Sequence, residues 1–108
     1  MKIKLEQNLK NLDNVDLKQN VEGVEKPITL KDICINALML QLEGDAHEGS
    51  SKASRYALGV KLYNLKEEAE LTVEEISEIK KRIGKVTHYG PLIVGQCFNM
   101  LEGNKSLI

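Results

Sequence analysis

The chain has no tryptophan, one phenylalanine and three tyrosines, so its core has to be assembled from Leu, Ile, Val and Ala. That composition favours packed helices over a β-sandwich, whose strands draw on aromatic and β-branched side chains. Charge of one sign is missing as well: fifteen basic against sixteen acidic side chains leave a formal net charge of −1. Bulk attraction to nucleic acid is thereby excluded, as is imitation of DNA by an acidic surface, and any nucleic-acid contact needs a local patch. Long hydrophobic runs are also absent. Nowhere do about 18 apolar residues follow one another, and the N-terminal "MKIKLEQNLK" alternates charged with apolar side chains, so neither a standard export signal nor a membrane span is expected. The only cysteines, Cys34 and Cys97, lie inside apolar helical patterns and not in a spaced framework, which reads as free thiols in a reducing cytoplasm.

What is present is the patterning of a folded chain. Its 108 residues suffice for one small domain and one core but not for a core plus a large active-site cleft. In "KIKLEQ", Ile3 and Leu5 fall on one face and Lys2, Lys4 and Glu6 on the other, the period of two of a half-buried strand. Asp13 and Asn14 follow in "LDNVDL" and tolerate the positive φ of a tight turn, so a short hairpin is expected there. "KQNVEGVEKP" then reads as a linker ending in Pro27.

Four helices are predicted beyond it. Thr29 and Asp32 form a capping box ahead of the stripe Ile33, Ala37, Leu38 and Leu42, and Cys34, Ile35, Met39 and Leu40 widen it until this helix is apolar nearly all round; Gly44 stops it. After the polar loop "GDAHEGSS", a second helix carries Ala53, Tyr56, Ala57, Val60 and Tyr63 on one side. Gly59 within it weakens the helix by about 1 kcal/mol relative to Ala, which is consistent with close approach of another helix. Thr72 and Glu75 make a second capping box, with Leu71 and Ile76 spaced as a hydrophobic staple and Val73, Ile76, Ile79 and Ile83 as the buried stripe; Gly84 caps the end. The last helix opens at Gly90 and Pro91, runs through Leu92, Ile93, Val94, Cys97, Phe98 and Leu101, and stops at Gly103. The expected fold is therefore mainly α: a compact bundle of four short helices over 29–103, preceded by a β-hairpin and linker over 1–28, with a frayed tail over 104–108, one domain overall.

Chemical motifs are few. Gly84, Gly90 and Gly95 match neither GxGxxG nor GxxxxGK[ST], and a helix, not a strand, precedes them, so "GKVTHYGPLIVGQCF" is a joint between helices and not a phosphate cradle. His47, His88, Cys34 and Cys97 supply no close ligand pair for zinc, and Cys97 with His88 lacks an oxyanion loop, so no catalytic, cofactor or metal residue is assigned and no enzyme is expected. "LTVEEISEIKKR" has the look of the entering helix of a calcium-binding hand, but no carboxylate follows in "IGKVTHYGPL". A helix-turn-helix over 72–83 and 91–102 is the main rival to a protein-binding role. It would use Lys80, Lys81, Arg82 and Lys85 against DNA, although the second helix offers Gln96 alone as a polar reader.

Taken in order, "MKIKLEQNLKNLD", "PITLKDICINALML", "KASRYALGVKLYN", "ELTVEEISEIKKRIGK" and "YGPLIVGQCFNMLEG" resemble a group of small, mostly uncharacterised accessory proteins of tailed bacteriophages and prophages. The resemblance spans nearly the whole chain and rests on caps, apolar stripes and the Gly-Pro joint. It implies a protein made in a bacterial cytoplasm as a phage accessory or assembly factor, and it transfers no catalytic residue. The leading expectation is a non-enzymatic interaction protein, self-associating or binding one phage or host protein. Its expected interface is Ile35, Met39, Leu40, Ile93 and Val94, which fall outside the narrowest core stripes. A DNA-binding regulator and an inhibitor of a host enzyme are the alternatives.

Overall fold

A computed structural model describes residues 2–66 and 68–103; the tail expected at 104–108 lies outside them. The elements run β1 (Lys2–Lys4), β2 (Lys18–Val21), β3 (Val24–Pro27), α1 (Leu30–Met39), α2 (Gly49–Asn64), β4 (Glu68–Glu70), α3 (Val73–Lys85) and α4 (Pro91–Leu101). Four helices and two small antiparallel sheets make an α+β fold, which corrects the expectation of a mainly α bundle.

The correction has its cause at the N-terminus. β1 has the expected alternation, with Ile3 buried between exposed Lys2 and Lys4, but its partner is β4 and not a neighbouring strand. Lys2 stands opposite Glu70 and Lys4 opposite Glu68, so opposite charges meet across the pair while Ile3 and Ala69 turn inward. Ile3, Leu5 and Leu9 are fully buried in the same core as the helices, and the segment after β1 is held by Leu9 N–H to Ile28 O (2.8 Å) and Lys31 N–H to Leu5 O (3.0 Å). The N-terminal arm is thus a wall of the core and not an appendage.

The expected turn forms, and a second, longer hairpin follows it. Asn14 adopts positive φ (65°) in a turn whose backbone N–H groups donate to Asn11 Oδ1, and Lys10 pairs antiparallel with Asp16 across it; the paired strands β2 and β3 lie further on, in the stretch read as a linker. Glu22 (φ 52°) and Gly23 (φ 82°) form a two-residue loop with both central φ values positive, the geometry whose twist matches antiparallel strands. Asn20 Oδ1 accepts from Gly23 N–H at 2.9 Å and completes it.

Both predicted capping boxes form: Thr29 Oγ1 accepts from Asp32 N–H, and Thr72 Oγ1 from Glu75 N–H, each with the reciprocal bond. Pro91 opens α4 as expected. α1 stops earlier than predicted, at Met39, and α3 runs one residue past Gly84. Val73, expected in the buried stripe of α3, is 75% exposed, because as the first helical residue it stands ahead of the turn that meets the core. α1 lies at the centre, packed against α2, α3 and α4. α2 rests on α1 and on no other helix to a comparable extent, so it is carried on the outside of the molecule.

Candidate functional site

The sequence groups Ala53, Tyr56, Ala57, Val60 and Tyr63 on one side of α2, and in the fold all of these but the half-buried Val60 are exposed. The fully buried residues of α2 are Gly59 and Leu62, with Leu58 half-buried beside them, while Tyr56 (63% exposed) and Tyr63 (71% exposed) face out together with Ala53 and Ala57. The physical reason is twofold. Gly59 leaves room for the end of the Met39 side chain, whose methyl a Cβ there would displace, and Arg55 on the same edge is drawn inward to Asp45. The inward edge therefore carries the large aliphatic residues and a charge anchor, and the aromatic edge is left uncovered.

Along this uncovered face α1 and α2 share two hollows. Met39 and Tyr56 line one of about 330 Å³ at the start of α2; Ile35 and Tyr63 line a groove of about 750 Å³ at its end, whose far wall is the β2–β3 hairpin through Gln19, Val21 and Lys26. Of the five expected interface residues, Ile35 and Met39 lie here, Met39 being 45% exposed. Ile35, Leu40, Ile93 and Val94 are all half-buried and packed against the core, and the last three do not line these hollows, so the structure does not bring the five together. Tyr56 and Tyr63 were not assigned to an interface. The available signal was their scarcity: two of the chain's three tyrosines stand seven residues apart in a helix that contains no Asp or Glu.

The basic cluster at the end of α3 is divided between the interior and the surface. Arg82 is buried, with its Nε donating to Ala37 O (2.9 Å), one terminal nitrogen to Leu40 O (2.6 Å), and both terminal nitrogens to the Asp45 carboxylate (2.9 and 3.0 Å). Arg55 adds bonds to Leu40 O and Asp45, and Leu42 N–H donates to the same carboxylate at 2.7 Å. Two guanidinium groups thus satisfy the carbonyl groups at the end of α1, where the helix dipole favours cations. The hydrogen bonds from Arg82 hold the Asp45 carboxyl well below the usual carboxylate range, against the opposing effect of burial. Lys80 is paired with Glu102 (3.4 Å) and sits over the Phe98 ring. Lys81 and Lys85 remain at the surface, in a cleft of about 510 Å³ that Glu74 and Glu78 also line. Gln96, the expected reader, is buried and clamps the N-terminal arm, accepting from Lys10 N–H (2.9 Å) and donating to Lys10 O (2.6 Å).

Cys34 and Cys97 are buried and unbonded to each other; burial pushes the Cys97 thiol up to about 12 and raises that of Cys34 further. His88 is exposed at the α3–α4 joint, edge-on to Tyr89. Among the described residues no group of three His, Cys, Asp or Glu side chains converges as a metal-ligand set, and no helix is long and apolar enough to cross a membrane. No protein-family profile, curated protein or solved structure matches the chain.

Proposed function

We propose that this chain is a non-enzymatic interaction or assembly protein of a bacteriophage or prophage, working in a bacterial cytoplasm by presenting the outer face of α1 and α2 to one phage or host protein. The phage setting rests on the sequence resemblance. The docking role rests on one observation: Met39 of α1 and Tyr56 and Tyr63 of α2 form an exposed stripe along the outer side of the two helices. Tyrosine and methionine are enriched where proteins meet, because each offers a large contact area that is only partly apolar or easily reshaped. The DNA-regulator alternative has lost its two central side chains, Arg82 and Gln96, to the interior. Inhibition of a host enzyme is one form that docking at this face takes.

A photo-crosslinking side chain placed at Tyr56 or Tyr63 is expected to give a discrete adduct of defined mass in bacterial cells, and one placed at Lys81, on the cleft side, to give none. Adducts of equal yield from all three positions, or none from any, would overturn the reading.

A further inference from the structure

We infer that the occupant of this face is an acidic amphipathic helix of a partner protein, seated with one apolar anchor in each hollow; the inference rests on the interaction reading above and names its partner's chemistry. The unpaired charge that lines the two hollows is of one sign. Lys26 and Lys66 border the larger hollow and Lys52 the smaller, and none of the three has a carboxylate partner among the described residues. The carboxylates that reach the larger hollow are already engaged. Glu6 pairs with Lys31 at 3.5 Å, and Asp32 caps α1 through Thr29 N–H while accepting from Gln19 Nε2 at 3.0 Å. Glu25 alternates onto the opposite face of the hairpin from Lys26. α2 itself holds no acidic residue.

The spacing suits a helix. Tyr56 and Tyr63 are seven residues apart, which at 1.5 Å per residue is about 10 Å, so the hollows beside them match anchors at i and i+7 of an opposing helix. A second copy of this chain fits less well, because the hollows of its own face are lined by the same unpaired lysines. A nucleic-acid strand would find the lysines and the tyrosine rings, but Val21, Ile35 and Met39 give the hollows aliphatic walls that a base stacks on poorly.

The test uses two labelled peptides of about 15 residues with identical Leu anchors at i and i+7 and either Glu or Lys on the polar face, read by fluorescence anisotropy at about 50 mM salt, where surface charge is weakly screened. The Glu peptide is expected to bind at least about tenfold more tightly than the Lys peptide. The charge reversal Lys26→Glu/Lys52→Glu/Lys66→Glu, at three exposed unpaired positions, is expected to invert that preference, and Tyr56→Ser/Tyr63→Ser to abolish binding of both peptides; circular dichroism confirms that each variant is folded. Equal affinity for the two peptides, no binding up to about 1 mM, tighter binding of a single-stranded oligonucleotide, or a homodimer that excludes the Glu peptide would each overturn the inference. If crosslinks form at Tyr56 and Tyr63 while the Glu peptide is not preferred, the interaction reading stands and the acidic partner falls; if neither is seen, both fall.

Discussion

The guanidinium of Arg82 grips the carboxylate of Asp45 at two points, 2.9 and 3.0 Å, while its Nε closes the end of α1 at Ala37 O. One side chain of α3 thus fixes both the end of the central helix and the loop that leads to α2, and the placing of the exposed face depends on it. Removing one partner of a buried ion pair leaves the other charge uncompensated, at a cost of about 3–5 kcal/mol. Asp45→Ala is expected to lose stability of that order in urea denaturation. Arg82→Lys should fare little better, since an ammonium group cannot span Ala37 O, Leu40 O and both carboxylate oxygens. A midpoint for either variant equal to wild type would remove the pair from its structural role.

The same pair sets an acid limit. The Asp45 carboxyl titrates below its unfolded value of about 4 because Arg82 donates hydrogen bonds to it. Its contribution is therefore complete above about pH 4 and is lost as the pH falls from there toward the folded value. Glu75 acts in the same direction, its carboxylate held ionised chiefly by the Thr72 N–H. Stability measured from pH 7 to pH 2 is expected to fall more steeply below about pH 4 in wild type than in Asp45→Asn; parallel curves would show that Asp45 is not the titrating group.

Local order along the chain made much of this fold legible. Thr29 with Asp32, Thr72 with Glu75, and Pro91 after Gly90 announce helix starts whose bonding partners lie three residues away, so no tertiary knowledge is needed. The strand character of Ile3 was equally visible, but its partner Ala69 sits in a three-residue strand too short to have a period of its own. The β2–β3 hairpin was hidden because Glu22 is an unusual residue at positive φ, where Asn or Asp would have given the turn away. The orientation of α2 was not legible for a different reason. α2 has two apolar edges, and the choice between them is made by Gly59 against Met39 and by Arg55 reaching Asp45, both of which are distant contacts. Arg82 was likewise indistinguishable from Lys81 until folding buried one and exposed the other.

Thr72→Ala is expected to cost about 1 kcal/mol, because it leaves the Glu75 N–H without its acceptor. Denaturation of the variant, beside Thr72→Ser as a control that keeps the hydroxyl, measures it. Loss of stability in both would point to packing of the threonine methyl instead.

Cys97 and Cys34 are buried with raised thiol values, so almost no thiolate exists at neutral pH. A disulfide reagent at pH 8 should label neither until urea unfolds the chain, after which both react. Rapid labelling of the folded protein would contradict their placement in the core.

If Tyr56 and Tyr63 serve a partner and not the fold, equilibrium urea denaturation of Tyr56→Ser/Tyr63→Ser measures it most directly. Both rings are largely solvated and outside the core cluster, so the double variant is predicted to retain wild-type stability to within about 0.5 kcal/mol, as surface substitutions do. A loss of about 2 kcal/mol or more would contradict the account, since it would mean that these rings are buried in the folded protein.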